Sequence, residues 1–184
     1  MRARLTEGHP EDKLIVYIGR LSAEKGIEAA RLILEAIPGI RLALIGDGPH
    51  RAKLQRHFAG SSTHFAGYLM GAELASAHAS ADPFFMPSGT ETLGLVVLEA
   101  MASGTPVVAA REGGLVDIVR DGVTGHLYPY RDILMATRLL RSRKYKNCCS
   151  IRFTTNRCAV RRDGRAILKR APPNGFHGKR DAIA

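Results

Sequence analysis

The chain has 184 residues, enough for one globular domain with an extension, and 45% of them are hydrophobic, which is ordinary for a packed core. No stretch approaches the ~18 consecutive apolar residues of a membrane-spanning helix, and no apolar segment follows the arginines near Met1, so we expect neither a transmembrane helix nor a secretory signal. The net charge of +10, taken alone, suggests a protein that binds polyanions such as nucleic acid.

This charge is concentrated at one end of the chain. Residues 131–184 contain 15 Lys and Arg against 3 Asp, a net charge of +12, whereas residues 1–130 contain 12 basic and 14 acidic groups, a net charge of −2. Charge clusters also interrupt every apolar run beyond residue 141. We therefore divide the chain into a lead-in at 1–13, a domain at 14–130 and a basic, aperiodic tail at 131–184, which we predict to be disordered after a possible helix at 133–140.

The domain begins with alternating strands and helices. The apolar run at 14–18 predicts a strand that is buried on both faces. Ser22 is placed to cap a helix that continues to about Ala36. A second strand is predicted at 41–45, followed by a helix to about residue 58, a short strand at 63–65 and a helix at 73–79.

The second half continues the alternation. It predicts a strand at 84–86, a helix at 93–102, a strand at 106–109 and a short helix at 115–119. Five strands alternating with helices predict an α/β fold, a Rossmann-like parallel sheet with helices on both faces. Ligands of such sheets bind beyond the carboxyl ends of the strands, so the loops at that edge hold the candidate sites.

The first candidate site follows the first strand, at residues 19–26. Gly19 lets a ligand approach the backbone closely. Arg20 and Lys25 flank a predicted helix N-terminus, where free amides and two cations can converge on one anion. The pattern indicates a phosphate site, and the alternative is a solvated loop with ordinary surface charges.

The second candidate site is the helix at 93–102 with the loop before it. Apolar side chains occupy nearly every side of this helix, so we expect it to be buried and Glu99 to be a buried carboxylate unless a pocket opens there. A ligand rich in hydroxyl groups would suit such a carboxylate. Glu91 lies in the preceding loop, and Gly94 lets the first helix amides face a diphosphate. The alternatives are a capping role for Glu91 and a core ion pair for Glu99.

A third segment, Gly46-Asp47-Gly48-Pro49, has only part of a dinucleotide-binding fingerprint. Arg51 stands where G-x-G-x-x-G requires its third glycine, so we interpret the segment as a tight loop at the binding edge. The seven histidines form no H-E-x-x-H pair, and the three cysteines lack the spacing of a zinc site. We expect no metal centre.

Five ordered segments together resemble the retaining GT-B glycosyltransferases, specifically the C-terminal, nucleotide-sugar-binding half of glycosyltransferase family 4. The resemblance covers residues 14–128, and its motifs are Val-Tyr-Ile-Gly-Arg-Leu-Ser-Ala-Glu-Lys-Gly at 16–26, Ile-Gly-Asp-Gly-Pro at 45–49, Met-Pro-Ser at 86–88 with Glu91-x7-Glu99, Gly-Thr-Pro-Val-Val at 104–108 and Glu-Gly-Gly at 112–114. Residues 91–111 are most similar to members that transfer sulfoquinovose from a UDP carrier to diacylglycerol in sulfolipid synthesis.

Carried over residue by residue, the resemblance implies that Arg20 and Lys25 hold the diphosphate and neutralise the leaving UDP as the glycosidic bond breaks. It implies that Glu91 contacts hydroxyls of the transferred sugar and that Glu99 accepts the ribose hydroxyls. Backbone contacts to the donor are expected near the uracil, at Gly67 and Tyr68, and near the diphosphate, at Gly19, Gly94, Leu95 and Val96. No cofactor beyond the UDP-sugar and no metal are expected.

The family also implies parts that this sequence does not contain. Its members bind the acceptor, a lipid or a sugar, through a second, N-terminal Rossmann-like domain, so we expect a fragment that binds its donor without turning over alone. We expect the basic tail to be translated from an intron or a shifted frame. The sulfolipid resemblance implies a plastid location with possible peripheral membrane contact; otherwise a cytoplasmic one is expected.

Two other functions remain open. One is a catalytically dead nucleotide-binding fragment whose basic tail binds nucleic acid or anionic surfaces. Nucleic acid is the less favoured partner, because every recognisable motif lies in the mildly acidic domain. The other is a nucleotide-sugar epimerase of GT-B shape, against which the Glu91-x7-Glu99 element argues mildly.

Overall fold

Six parallel strands form the central sheet, in the order β3-β2-β1-β4-β5-β6. The structure, a computed structural model, describes residues 1–148, 152–154, 157–162 and 165–169. The strands of this sheet are β1 (Lys13–Ile18), β2 (Ile40–Ile45), β3 (Thr63–Gly67), β4 (Phe84–Met86), β5 (Val107–Arg111) and β6 (Gly125–Pro129). The sequence predicts the first five of these strands but not β6, which contains few apolar residues and has a proline at its end.

Helices cover both faces of the sheet, as expected. They are α1 (Arg2–Leu5), α2 (Ala30–Ala36), α3 (Arg51–His57), α4 (Gly71–Ser80), α5 (Leu95–Ala102), α6 (Leu115–Ile118) and α7 (Ile133–Ser142). The chain runs outward from β1 in one direction and from β4 in the other, so right-handed crossovers place α2 and α3 on one face and α5 and α6 on the opposite face. Helix α4 packs against α5, and α7 packs against α2. The predicted α/β, Rossmann-like fold is confirmed.

The core lies in the middle strands of this sheet. Strands β1 and β2 are buried on both faces because helices cover each side, and their sequences are accordingly continuous apolar runs. The largest fully buried side chains include Tyr17 in β1, Phe84 and Phe85 in β4, and Tyr128 in β6. Phe85 and Tyr128 stack with their ring centroids 6.1 Å apart. This packing fixes the strand ends from which the loops of the binding edge project.

The single helix predicted from Ser22 to Ala36 is broken in the structure. Gly26 adopts a left-handed conformation with φ of 63°, which interrupts the helix between two short 3₁₀ turns, Ala23–Lys25 and Ile27–Ala29. Ser22 does not cap the backbone; its hydroxyl donates instead to the Glu24 carboxylate at 2.5 Å. The loop after β1 is therefore longer than expected, and it carries Lys25 on a 3₁₀ turn.

The ordered domain continues past the boundary that we predicted at residue 130. Helix α7 begins where the Asp132 carboxylate accepts a hydrogen bond from the Met135 amide, and it buries Ala136, Leu139 and Leu140. An apolar stripe repeated every three or four residues lies among its basic residues, in agreement with the possible helix predicted at 133–140. Helix α7 thus packs onto the domain, although it lies beyond the boundary that we predicted at 130/131.

Three strands lie in the rest of the basic segment. They are β7 (Arg152–Thr154), β8 (Arg157–Arg162) and β9 (Arg165–Lys169), which pair antiparallel. The structure thus differs from a disordered tail at these strands. The prediction for residues 149–151, 155–156, 163–164 and 170–184 lies outside the described residues. Within the described part of the chain, no helix has both the length and the hydropathy to cross a membrane.

Candidate functional site

A cleft opens at the carboxyl ends of β1 and β4, where the strand order reverses. Strand β1 is followed in the chain by β2 on one side, while its other neighbour in the sheet is β4, so the loops after β1 and β4 diverge and leave a gap between them. The gap contains a cavity of about 420 Å³. Of the ten site residues expected from the sequence, six line this cavity: Gly19, Arg20, Tyr68, Leu95, Val96 and Glu99.

Backbone contacts between glycines hold the floor of the cleft. Gly19 donates its amide to the Ile45 carbonyl at 3.0 Å, and Gly46 donates its own to the Gly67 carbonyl at 2.8 Å. A Cβ at Gly46 would lie 2.1 Å from the Gly19 carbonyl oxygen, and one at Gly48 would lie 2.3 Å from the carbonyl oxygen of Leu21. No side chain fits at these two positions. The third candidate segment is a tight loop at the binding edge, as interpreted from the sequence.

Arg20 extends from this floor into solvent at the cavity. Its side chain is exposed, and its carbonyl accepts a hydrogen bond from the Tyr17 hydroxyl at 3.0 Å. Tyr17 is fully buried, and burial together with the nearby Glu91 and Glu24 carboxylates raises the pKa of its phenol, so the hydroxyl stays a donor. The buried tyrosine thereby fixes the backbone on which the Arg20 cation stands.

Lys25 and Glu91 form an ion pair beside the cavity. The Lys25 Nζ lies 2.8 Å from the Glu91 Oε2, and the side chains are 17% and 21% exposed. These are two of the three residues expected to act on the substrate. They lie outside the residues that line the cavity, and each is the other's partner.

The adjacent glycines Gly113 and Gly114 hold the backbone of Glu91 in place. The sequence alone assigned them no role. The Gly114 amide donates to the Glu91 carbonyl at 2.8 Å. A Cβ at Gly113 would lie 2.5 Å from the Glu91 carbonyl oxygen, and one at Gly114 would lie 1.9 Å from that of Thr92. Adjacent glycines after a buried strand were the signal that could have identified this contact.

Helix α5 enters the cleft with its N-terminus. Gly94 adopts the left-handed conformation with φ of 57°, and the first intrahelical bond runs from the Val97 amide to the Gly94 carbonyl at 2.9 Å. The amides of Leu95 and Val96 precede that bond, so no helical carbonyl is available to them. Gly94 and Gly67 do not line the cavity; they turn the chain at its border.

The expectation that this helix is buried all round was wrong. Only the side facing the sheet is buried, through Val97, Ala100 and Met101, whereas Leu95 and Leu98 are 59% and 44% exposed. No described residue covers the other side of the helix, and the apolar sequence alone does not show this. The Glu99 side chain is 55% exposed, so it is a carboxylate on the wall of an open pocket.

His78 lies directly behind Glu99, a neighbour that the sequence reasoning missed. Its Nε2 is 3.6 Å from the Glu99 Oε2, and the residue is only 2% exposed. The imidazole packs against Phe84 with ring centroids 5.7 Å apart. Its position in helix α4, which is rich in alanine, offered no motif by which it could have been found.

Tyr68 stands at the outer end of the cleft. It follows β3 directly and is 75% exposed, so one face of its ring is open toward the cavity. Leu69 and Leu74 form the apolar wall beside it. Across the described residues, no three His, Cys, Asp or Glu side chains come together as a metal site would require.

The arrangement can bind an elongated anion that carries hydroxyl groups. The Arg20 cation and the α5 amides supply a positive region at one place, and the Glu99 carboxylate supplies an acceptor for hydroxyl groups farther along the same helix. The exposed Tyr68 ring supplies a flat surface for stacking.

The sequence of the chain matches known proteins. Residues 4–142 match the family model described as glycosyl transferases group 1. The chain is 47% identical over 145 residues to sulfoquinovosyl transferase SQD2 of Arabidopsis thaliana, and the alignment covers 77% of this chain and 28% of that protein. It is 39% identical over 118 residues to a GDP-mannose-dependent alpha-mannosyltransferase of Corynebacterium glutamicum, which covers 62% of this chain and 27% of that protein.

A solved structure shares the same fold. The crystal structure of Anabaena HepE in complex with UDP-glucose superposes with a TM-score of 0.66 and 26% sequence identity, covering 74% of this chain and 40% of HepE. The chain thus spans between about a quarter and two-fifths of the length of the relatives that it matches.

Proposed function

Because the chain belongs to the group 1 glycosyl transferases, we propose that its cleft binds a nucleotide-sugar and that the whole protein is a retaining hexosyltransferase. The observation that carries this proposal is the convergence of Arg20, the N-terminus of α5 and Glu99 on one cavity. A cation and free amides suit a diphosphate, and a carboxylate one turn farther along the helix suits the ribose hydroxyls.

The chemistry follows from the charge that develops on the leaving group. When the bond between the sugar and the diphosphate breaks, negative charge accumulates on the diphosphate oxygens. Arg20 and the amides of Leu95 and Val96 stabilise that charge, and Lys25 joins them once its carboxylate partner turns toward the sugar. Glu91 then accepts hydrogen bonds from hydroxyls of the transferred sugar. In this scheme the donor separates Lys25 from Glu91.

We propose UDP as the nucleotide and sulfoquinovose as the sugar. HepE, the structural relative above, is described in complex with UDP-glucose, and the relative at 47% identity is named a sulfoquinovosyl transferase. Diacylglycerol as the acceptor, a plastid location and peripheral contact with a membrane follow from the same resemblance. The acceptor would bind to a part of the protein that lies outside this chain.

A second nucleotide deserves a direct comparison, because a relative at 39% identity is named a GDP-mannose-dependent enzyme. Calorimetric titration of the chain with UDP and with GDP decides between them. We expect UDP to bind and GDP to bind at least tenfold more weakly. Tighter binding of GDP would favour a GDP-sugar as the donor, and the absence of binding by both nucleotides would overturn the proposed function.

Variants of the cleft test the assignment of residues. Arg20→Ala and Glu99→Gln should each weaken UDP binding by about 10–100-fold, since each removes hydrogen bonds to a charged group. Arg56→Ala is the matched control, because this arginine lies in α3 and does not line the cavity. Equal affinity in all three variants would show that UDP binds elsewhere.

A further inference from the structure

The imidazole of His78 occupies an unusual position for a polar side chain. His78 lies in the last turn of α4, is 2% exposed and turns its Nε2 toward the Glu99 carboxylate on α5. Glu99 itself opens into the cavity with 55% of its side chain exposed. The two residues therefore span the boundary between the core and the cleft.

Neither nitrogen of the His78 ring makes a hydrogen bond with any residue that the structure describes. Burying an imidazole N–H without an acceptor costs free energy that a phenylalanine or leucine would avoid. Phe84 packs against the ring, and the Thr105 hydroxyl donates a hydrogen bond to the His78 backbone carbonyl at 2.6 Å, which fixes the backbone that carries the ring. The acceptor within reach is the Glu99 carboxylate, 3.6 Å away.

The charge state of the pair favours a neutral imidazole as donor. Burial lowers the pKa of His78, and the neighbouring Glu99 carboxylate only partly opposes that effect. Within the described part of the chain, Glu99 is the charged group that acts on this ring. A neutral imidazole carries one N–H, and an Nε2–H tautomer directs it at the carboxylate.

We propose that His78 is a positioning residue that holds the Glu99 carboxylate in place for the ribose diol of the nucleotide. The inference rests on the proposed function, since it assigns Glu99 to the ribose. The Nε2–H donates to Oε2 on the core side, which leaves Oε1 and the outer lone pairs free for the two hydroxyls. The present separation needs to shorten by about 0.7 Å to reach hydrogen-bond length, a movement that the exposed Glu99 side chain can make.

Nitrogen-15 NMR of the labelled full chain tests the pairing without a ligand. We expect the His78 ring to be neutral at neutral pH in the Nε2–H form, and Glu99→Gln to shift its Nε2 resonance. An Nδ1–H tautomer, or an Nε2 chemical shift that does not change in Glu99→Gln, would overturn the proposal. This measurement decides the pairing whether or not UDP binds.

Binding measurements test the consequence for the nucleotide. His78→Phe keeps an aromatic ring and removes the donor, so we expect it to weaken UDP binding about tenfold. The same variant should bind 2′,3′-dideoxyuridine diphosphate as the wild type does, because that nucleotide lacks the hydroxyls that Glu99 accepts. His78→Gln, whose amide can donate from a similar position, should recover most of the affinity.

The two nucleotides separate positioning from a structural role. An equal loss for UDP and for its dideoxy analogue in His78→Phe would mean that the ring only shapes the pocket, and unchanged UDP binding would likewise contradict the proposal. If the wild type binds no UDP, the proposed function fails, and the NMR result still decides whether His78 holds Glu99. Should His78→Phe fail to fold, His78→Gln and Glu99→Gln carry the comparison.

Discussion

The Lys25 ammonium and the Glu91 carboxylate lie 2.8 Å apart, although 66 positions separate them in the sequence. The loop after β1 carries one partner and the loop after β4 carries the other, so the ion pair joins the two strand ends that border the cleft. A cation that is already paired is held near its working position, and it becomes available only when its partner finds another ligand.

Removing one partner at a time should therefore have opposite consequences for nucleotide binding. Lys25→Met removes a cation that we assign to the diphosphate, and it should weaken UDP binding about tenfold or more. Glu91→Gln releases Lys25 from its competitor, so UDP should bind as well as to the wild type or a few times more tightly. Calorimetric titration measures both. A loss of affinity in Glu91→Gln as large as that in Lys25→Met would mean that the pair acts as one structural unit.

The paired glycines below Glu91 should be intolerant of even one methyl group. Gly114 has an ordinary φ of −68°, so alanine is excluded there by space alone: its Cβ would lie 1.9 Å from the Thr92 carbonyl oxygen. Gly114→Ala should lower the free energy of unfolding by about 1–3 kcal/mol and weaken UDP binding, because the Glu91 loop must move.

Gly122→Ala is the control for that substitution. Its φ of +73° strains an alanine by about 1–2 kcal/mol, but no atom lies within 4 Å of the added Cβ. It should lower stability and leave UDP affinity unchanged. If both variants bind UDP as the wild type does, the glycine contact does not position Glu91.

Truncation tests where the domain ends. Helix α7 buries Leu139 and Leu140 against the domain, and Tyr145 beyond it is fully buried; each such side chain contributes about 1.5–3 kcal/mol. A chain of residues 1–130 should lose much of the ~5–15 kcal/mol typical of a domain and unfold near room temperature. A chain of residues 1–148 should melt close to the full chain, as followed by circular dichroism.

A comparison of the full chain with residues 1–148 also tests the nucleic-acid alternative. Filter binding at two salt concentrations should detect any affinity for polyanions that the basic segment confers. If residues 1–148 retain UDP binding and lose nucleic-acid binding, the two activities lie in different parts of the chain.

Stability should depend on pH through His78. Because burial lowers the pKa of this imidazole below its ordinary value of about 6.5, the unfolded chain binds a proton more readily than the folded one. The stability that the neutral ring contributes is thus fully present above about pH 6.5. It is lost as the pH falls from that value through the lower pKa of the folded state.

Denaturant unfolding at about pH 7.5 and about pH 5.5 measures this effect. The wild type should lose more stability over that interval than His78→Phe, and Glu99→Gln should lose the most, since Glu99 raises the pKa of His78. The ionisable groups that the three proteins share cancel in the comparison. Identical pH profiles would exclude a buried neutral His78.

The fold could be predicted because its central strands are buried on both faces. The continuous apolar runs at 14–18 and 41–45 are short and followed by glycines, which favours buried strands, and their loops place Arg20 and the Gly46 turn at one edge. Strand β6 was not predicted because two of its five residues are Gly125 and Pro129, which ordinarily indicate a turn. Helix α7 agrees with the possible helix at 133–140, but its polar face is basic, so the charge count assigned it to the tail instead of the domain.

The site could be predicted only in part, for a different physical reason. The residue types alone indicated the anion-binding loop and the two glutamates. How exposed a helix residue is depends on which other elements pack against that side of the helix, and the local sequence does not contain this information. The apolar sequence around Glu99 therefore suggested burial where the structure has an open wall. The contact between His78 and Glu99 joins two helices and has no local signal.

The contact between Gly19 and Gly46 has a consequence for building chimeric enzymes. Their backbones approach so closely that an added Cβ would stand 2.1 Å from the opposing carbonyl oxygen. A loop transplanted from a relative to alter donor choice would have to bring the segment after β1 together with the segment after β2. If only one of the two segments were transplanted, its backbone would meet a partner segment from another protein, and the close Gly19–Gly46 contact would not be preserved.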